Sequence, residues 1–349
     1  MASSTRPSRF WVGGATTWGD CPTPGLRLLT VETDGTPRLG APEPSGGNPT
    51  FGALLPGGNL LMVNELTDGQ VSLYSTSGEQ AILLNSALTD SADPTNVAVT
   101  QSGDKALVAN YSGGALTVHS LTPLCVNNPL LKVQYEGSGP GDRQESPHPH
   151  QVVIDEEMES VLVPDLGMDV VHVHPLKDLV NGDPHHHDIA LAAGCGPRHL
   201  VLTGLPEDGL GQDTMIVACE LDNTVRAIDV ATGDELSVAK PTTAKQSLPS
   251  AIRITREGLV LVGNRGPDTI GILKWDEENG DLTYLGEGSC GGKHPRDLAL
   301  TEDGRHVAVA NLKSDDITVL HLDAVTQSLE LVGSVKTCAP TALIPVPTK

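Results

Sequence analysis

The chain has 349 residues and a formal net charge of −22, with 44 Asp and Glu against 22 Lys and Arg. So acidic a surface repels nucleic acid and anionic membranes, which excludes both as main partners, and no apolar run is long enough for a membrane span. With 38 Gly and 26 Pro between short runs of Val, Leu and Ile, the composition is that of many short strands joined by turns.

From the N-terminus, the stretch from Met1 to Arg9 is polar and lacks the apolar centre of a secretory signal, so a cytoplasmic protein is expected. Six cysteines (Cys21, Cys125, Cys195, Cys219, Cys290 and Cys338) are scattered without a Cys-x-x-Cys pair. They are expected to be buried, reduced thiols rather than a zinc site.

A repeat then governs the chain. Residues 60–74, 106–119, 161–174, 215–228, 259–273 and 306–320 share one pattern. Each has an apolar strand, a polar pivot, a short turn carrying Gly, Asp or Ser, and a second strand, which is a hairpin signal. Upstream of each, a proline opens a further short strand: Pro49, Pro94, Pro149, Pro197, Pro249 and Pro295, with Pro340 opening a seventh. These prolines are 45 to 55 residues apart, close to the period of a propeller blade. Residues 9–13 and 25–31 can complete the blade that Pro340 opens. The expected fold is all-β: one seven-bladed β-propeller over residues 1–349, with four antiparallel strands per blade. Strands from both termini close the last blade, leaving no open sheet edge. Long insertions at residues 122–146 and 176–196 flank blade three and are expected to line one mouth of the channel.

In such a ring, residues beside the repeated proline and at the polar pivot gather at one end of the channel. The proline positions supply Asn48, His148, His150, Arg198, His199, Lys293, His294 and Arg296. The pivots supply Asn64, Glu65, Asn110, Tyr111, Asp165, Glu220, Asn264, Arg265 and Asn311. Arg143, Arg198, Arg265, Lys293 and Arg296 are a large share of the few basic residues, and their placement points to an anion site.

Five segments carry a family resemblance: residues 147–153 (PHPHQVV), 196–200 (GPRHL), 249–253 (PSAIR), 263–266 (GNRG) and 292–297 (GKHPRD). Together they resemble the seven-bladed propeller lactonases, a family that contains bacterial 6-phosphogluconolactonases and fungal carboxy-cis,cis-muconate cyclases. The resemblance implies an active-site set of His148, Arg198, Glu220 and Arg265. Cys219 stands where the family usually has Asn before the blade-four glutamate. His150, Asn64, Asn110, Lys293 and Arg296 are expected to bind substrate.

Lactone opening suits this set. A histidine can serve as base toward water, and a forked, permanently charged arginine can hold an oxyanion or a phosphate. Glu220 is expected to orient His148 or to act as its acid/base partner. The leading expectation is a metal-independent hydrolase of a small anionic lactone, foremost 6-phosphogluconolactone of the pentose phosphate pathway. Lys293 and Arg296 would meet the phosphate. Two rivals are a carboxymuconate cyclase, which closes a lactone on the same scaffold, and a non-catalytic propeller binding a metabolite or protein. No cofactor and no metal are expected. His185, His186 and His187 follow Gly182-Asp183-Pro184 and read as an exposed turn despite nearby His172 and His174. No carboxylate cluster for calcium and no Gly-x-Ser-x-Gly nucleophile motif is evident. Charge leaves monomer and homodimer both open.

Overall fold

The second strand of each repeat is apolar at successive positions because both of its faces are covered. Leu60–Asn64 and Leu259–Arg265 are buried at every position. The outermost strands Gln80–Leu88 and Cys125–Gln134 instead mix buried with exposed residues. The structure, a computed structural model, describes residues 6–18, 25–203 and 214–347. Its strands form seven sheets of four antiparallel strands each. Their innermost strands, among them Pro49–Leu54, Pro94–Val99, Pro197–Leu202 and Pro295–Leu300, follow one another round the ring.

The core is divided among the interfaces between blades, and strand alternation explains how one strand serves two of them. In blade two, Ala106 and Val108 pack toward blade one, while Leu107 and Ala109 pack toward blade three. Ile216 and Ala218 of blade four likewise meet blade five, whereas Met215 and Val217 meet blade three. Blade seven is built as expected: Pro340–Val346 is innermost, followed by Ser8–Gly14, Arg27–Val31 and Pro37–Leu39. Phe10 and Val12 face blade six, and Trp11 faces Leu60, Met62 and Tyr74 of blade one. The two ends of the chain therefore seal the ring through both of its flanking cores.

The long insertions differ from the expectation. Residues 122–146 include the outer strand of blade two, Cys125–Gln134, and the stretch after it is a loop. The stretch 176–196 holds a short helix, Leu176–Val180, and the outer strand of blade three, His187–Ala190. That helix follows the third strand, at the end of the blade opposite the polar pivots, because antiparallel strands reverse direction at each turn. The helix thus lies away from the pivot end, whereas the tails of both insertions meet there: Asp169 accepts from Gln144 Nε2 and from the N–H groups of Gly194 and Gly196.

Cys195, Cys219 and Cys290 are buried free thiols and Cys125 a partly exposed one, while Cys338 is disulfide-bonded, against the expectation of reduced thiols throughout. Cys21 and residues 1–5 lie outside the described residues. No helix is long and apolar enough to cross a membrane among the described residues.

Trp11 tests the closure. It is 1% exposed and sits on the N-terminal strand between blades seven and one. Trp11→Ala is expected to lower the unfolding free energy by about 3–5 kcal/mol, as for an interior core residue. Urea denaturation followed by circular dichroism measures it, and a loss confined to local fraying would contradict ring closure by this strand.

Candidate active site

The loop that opens blade three is fixed by one buried carboxylate. Asp165 ends the strand Ser160–Asp165 and is fully enclosed. Its Oδ1 accepts the backbone N–H groups of His148 at 2.7 Å, Gly167 at 2.9 Å and Met168 at 3.1 Å. Gly167 has no room for a side chain, since a Cβ there would lie 1.9 Å from the Ser146 carbonyl oxygen. Held this way, the His148 ring stacks on Tyr111 of blade two, with centroids 4.3 Å apart. Its Nδ1 is 3.1 Å from the Tyr111 carbonyl oxygen, which can only accept, so the proton sits on Nδ1. The lone pair is then on Nε2, which faces Glu145 Oε1 at 3.5 Å.

Beside it lies a knot of charge. Glu220 follows the strand Thr214–Cys219 and is 2% exposed. It meets Arg143 Nη1 at 2.6 Å, Arg198 Nε at 3.0 Å and Arg265 Nη2 at 2.5 Å. Burial by itself would raise the pKa of Glu220, but the charges of Arg265, Arg198 and Arg143 outweigh it and hold the group down at about 2. Glu220 is therefore a fixed carboxylate. It grips three arginines and makes no recorded contact with His148, so neither role expected of it as partner to that histidine has a contact behind it.

Arg198 is the most enclosed of the three, at 2% exposure. Burial, then the neighbouring Arg265, pushes its pKa well below the usual guanidinium value. Its Nη1 is buried and has no hydrogen-bond partner. Arg265 is better satisfied, since Nε donates to the Leu248 carbonyl at 3.0 Å and Nη2 to that of Pro249 at 3.2 Å. Arg143 also reaches the Tyr111 hydroxyl at 3.3 Å and so ties the arginine knot to the ring beneath His148.

On the other flank, Arg296 Nη2 lies 3.7 Å from Glu65 Oε2, with its guanidinium 5.1 Å from the centre of the Trp18 ring. Burial raises the Glu65 pKa. His150 and His199 pack edge to face at 5.2 Å, and the Nδ1 atom of each is buried without a partner. Burial, followed by the charge of Arg198, pushes both far below the ordinary histidine range, so both rings are neutral at pH 7. Four guanidiniums (Arg143, Arg198, Arg265, Arg296) thus face two buried carboxylates (Glu220, Glu65), an excess of two positive charges. Unpaired buried donors beside excess positive charge are what an anionic ligand would satisfy.

Of the residues singled out from sequence, the structure brings together His148, His150, Arg198, Glu220, Arg265 and Arg296. Asn64 and Asn110 lie elsewhere in the bonding. Asn64 donates to the Gly47 carbonyl and accepts from Ser72, and Asn110 donates to the carbonyls of Val108 and Ala115. Both amides brace their own blades, as Asn264 and Asn311 do in theirs. Lys293 is exposed on the turn before the strand Pro295–Leu300 and makes no recorded side-chain contact with the cluster. Left out of the expected site set were Arg143, Tyr111, His199 and Glu65. The last three were visible as pivot or proline neighbours, and Arg143 as one of few basic residues. Trp18 carried no signal.

A lactonase family described as seven-bladed β-propeller matches residues 9–345. The chain is 30% identical over 302 residues to a 6-phosphogluconolactonase of Bacillus subtilis, covering 82% of this chain and 84% of that protein. It is 28% identical over 309 residues to a 6-phosphogluconolactonase of Formosa agariphila, covering 81% and 84% respectively. Among solved structures, a putative 6-phosphogluconolactonase from Bacteroides fragilis superposes with a TM-score of 0.87 at 26% identity, covering 99% of both chains.

Replacing Glu220 tests the charge knot. Glu220→Gln leaves two buried guanidiniums, Arg198 and Arg265, and the more exposed Arg143 without their counterion and is expected to cost about 3–5 kcal/mol at pH 7. The folded pKa of Glu220 is depressed to about 2 from an ordinary 4.5, so its contribution is complete above pH 4.5 and fades as pH falls toward 2. The stability gap between wild type and variant should therefore narrow across that window in pH-resolved denaturation. A constant gap would show that Glu220 is not held ionised by the arginines.

Proposed function

Because the chain belongs to the seven-bladed β-propeller lactonase family, we propose that this lactone-hydrolysing enzyme opens 6-phosphogluconolactone to 6-phosphogluconate, as in the pentose phosphate pathway. The observation that carries the substrate is the arginine excess at the channel mouth, which a neutral lactone would leave partly unsatisfied. Two relatives that bear the same activity in their names support it.

His148 Nε2 is the base in this reading, because the Tyr111 carbonyl holds the proton on the other nitrogen. It takes a proton from water as the water oxygen bonds to the lactone carbonyl carbon. The oxyanion that forms is met by Arg198 Nη1, a donor with no other partner. The protonated His148 ring then has Glu145 within 3.5 Å. When the carbon–ring-oxygen bond breaks, the proton passes from His148 to the departing alkoxide, and the new carboxylic acid gives its own proton to solvent, leaving a carboxylate among the arginines. Arg296, at the less enclosed flank over Trp18, is placed for the phosphate.

Hydrolysis of 6-phosphogluconolactone, coupled to NADP reduction by 6-phosphogluconate dehydrogenase and corrected for spontaneous opening, tests the reading. His148→Ala is expected to lower kcat by 10²–10⁴-fold on phosphorylated and unphosphorylated gluconolactone alike. Arg296→Met is expected to raise KM about tenfold or more for the phosphorylated lactone and little for the other. No rate above background in wild type would remove this substrate. An Arg296→Met variant that loses both substrates equally would remove the phosphate role.

A further inference from the structure

Away from the channel, one of the three consecutive histidines does not stay in solvent. His186 directly precedes the outer strand of blade three, His187–Ala190, and packs edge-on against Tyr135 at 5.5 Å and His172 at 5.2 Å. His172 lies on the adjacent strand Val170–Pro175, opposite Asp188 in the register, with Nδ1 2.7 Å from Asp188 Oδ1. His186 Nε2 is 3.7 Å from the same oxygen. The ligating atoms of the three residues all lie within 4.8 Å of one another.

We propose that His172, His186 and Asp188 form a binding site for a divalent transition-metal ion of the zinc class. Two imidazole nitrogens and a carboxylate suit zinc, cobalt, nickel or copper, whereas calcium and magnesium require more oxygen ligands. A tetrahedral ion with bonds of about 2.0–2.2 Å spaces its ligands about 3.4 Å apart, so small shifts of two surface side chains complete the set. The ion takes the place of the proton between His172 Nδ1 and Asp188 Oδ1, and that proton leaves to solvent.

The supporting bonds are already in place. His186 Nδ1 donates to the Pro184 carbonyl at 3.1 Å, which turns its Nε2 lone pair toward Asp188. Behind His172, Nε2 is 3.3 Å from Asp165 Oδ2. A carboxylate in that position fixes the tautomer of a ligating histidine and raises its basicity. Tyr135 stacks on the His172 ring at 3.8 Å and bonds His174 Nε2 at 2.8 Å. His174 Nδ1 faces the His185 carbonyl, so both of its nitrogens are engaged and it stands outside the set. His172 is a buried base, and the side chains of His186 and Asp188, 29% and 38% exposed, leave an entry path. The other oxygen of Asp165 holds the His148 backbone, so one carboxylate joins this cluster to the active-site loop.

Full-length, tag-free protein stripped of metal is titrated with Co²⁺, followed by its visible absorption, and then challenged with Zn²⁺. One Co²⁺ per chain, displaced by Zn²⁺, is expected. His172→Ala deletes a buried ring and endangers the fold, so the exposed ligands carry the test. His186→Ala and Asp188→Asn should each weaken Co²⁺ affinity at least tenfold, with native circular dichroism, while His185→Ala and His187→Ala leave it unchanged. Absence of stoichiometric binding, or equal binding by His186→Ala, overturns the site and leaves Asp165, His172 and Asp188 as a purely hydrogen-bonded triad. Lactonase turnover plays no part in the readout, so failure here is distinct from failure of the proposed activity.

Discussion

Three guanidiniums crowd together only because Glu220 lies among them. Like charges in a buried setting repel strongly, and Arg198 and Arg265 also lose their hydration there. The carboxylate offsets both costs at once, through contacts of 2.5 to 3.0 Å to Arg143, Arg198 and Arg265. Charge neutrality is nonetheless incomplete. A single carboxylate cannot match three cations, and Arg198 Nη1 is left without a partner. The knot is stable enough to persist and unsatisfied enough to bind. That balance is what the proposed anion site rests on, rather than a purely structural ion cluster.

The propeller supplies the geometry that such a knot needs. Arg143 arrives from the loop before blade three, Arg198 and Glu220 from blade four, and Arg265 from blade five. No single hairpin could hold these groups, since side chains on one face of a strand diverge along it. In the ring, neighbouring blades present equivalent positions to one shared axis. Each blade is itself clamped by two apolar interfaces, so the charged end sits on a stiff base. The local turn chemistry follows the same logic. Asn48, Asp93, Gly196, His294 and Ala339, each directly before a blade-opening proline, take positive φ. A left-handed residue there swings the chain from the outer edge of one blade to the inner strand of the next.

The ring itself was legible because its signal repeats. Prolines at near-constant spacing and doubly buried second strands recur in every blade, and the short apolar segments at residues 9–13 and 25–31 could complete the last one. The candidate site residues His148, Arg198, Glu220 and Arg265 were legible for the same reason, being anchored to repeat positions that the structure gathers. Repeat position is a weaker guide where the same position also braces the scaffold. Asn64 and Asn110 occupy the same pivot as Arg265 does one residue on, yet their amide N–H groups donate to backbone carbonyls of Gly47, Val108 and Ala115. Sequence spacing cannot tell which way a pivot side chain turns. Arg143 shows the converse limit. It belongs to no repeat and meets Glu220 across 77 residues of chain, a pairing that only the closed ring creates.

Histidine shows how position, rather than residue type, decides the chemistry. His150 and His199 are pushed far down by burial and then by the charge of Arg198, and His294 falls to about 4 through burial followed by Arg265. Rings held neutral beside the arginines accept and donate hydrogen bonds without adding to the positive field. His148 differs in what surrounds it: a backbone carbonyl on Nδ1, an aromatic ring beneath, and a carboxylate within ion-pair reach of Nε2. Those three neighbours come from two loops, and the loop carrying His148 is itself pinned by Asp165. In the base role proposed for His148, a ring that must first hold a proton and then return it needs a partner for its charged state that does not capture the proton outright. An exposed glutamate at 3.5 Å, screened by water, meets that requirement better than the buried Glu220 would, whose charge is already committed to three arginines.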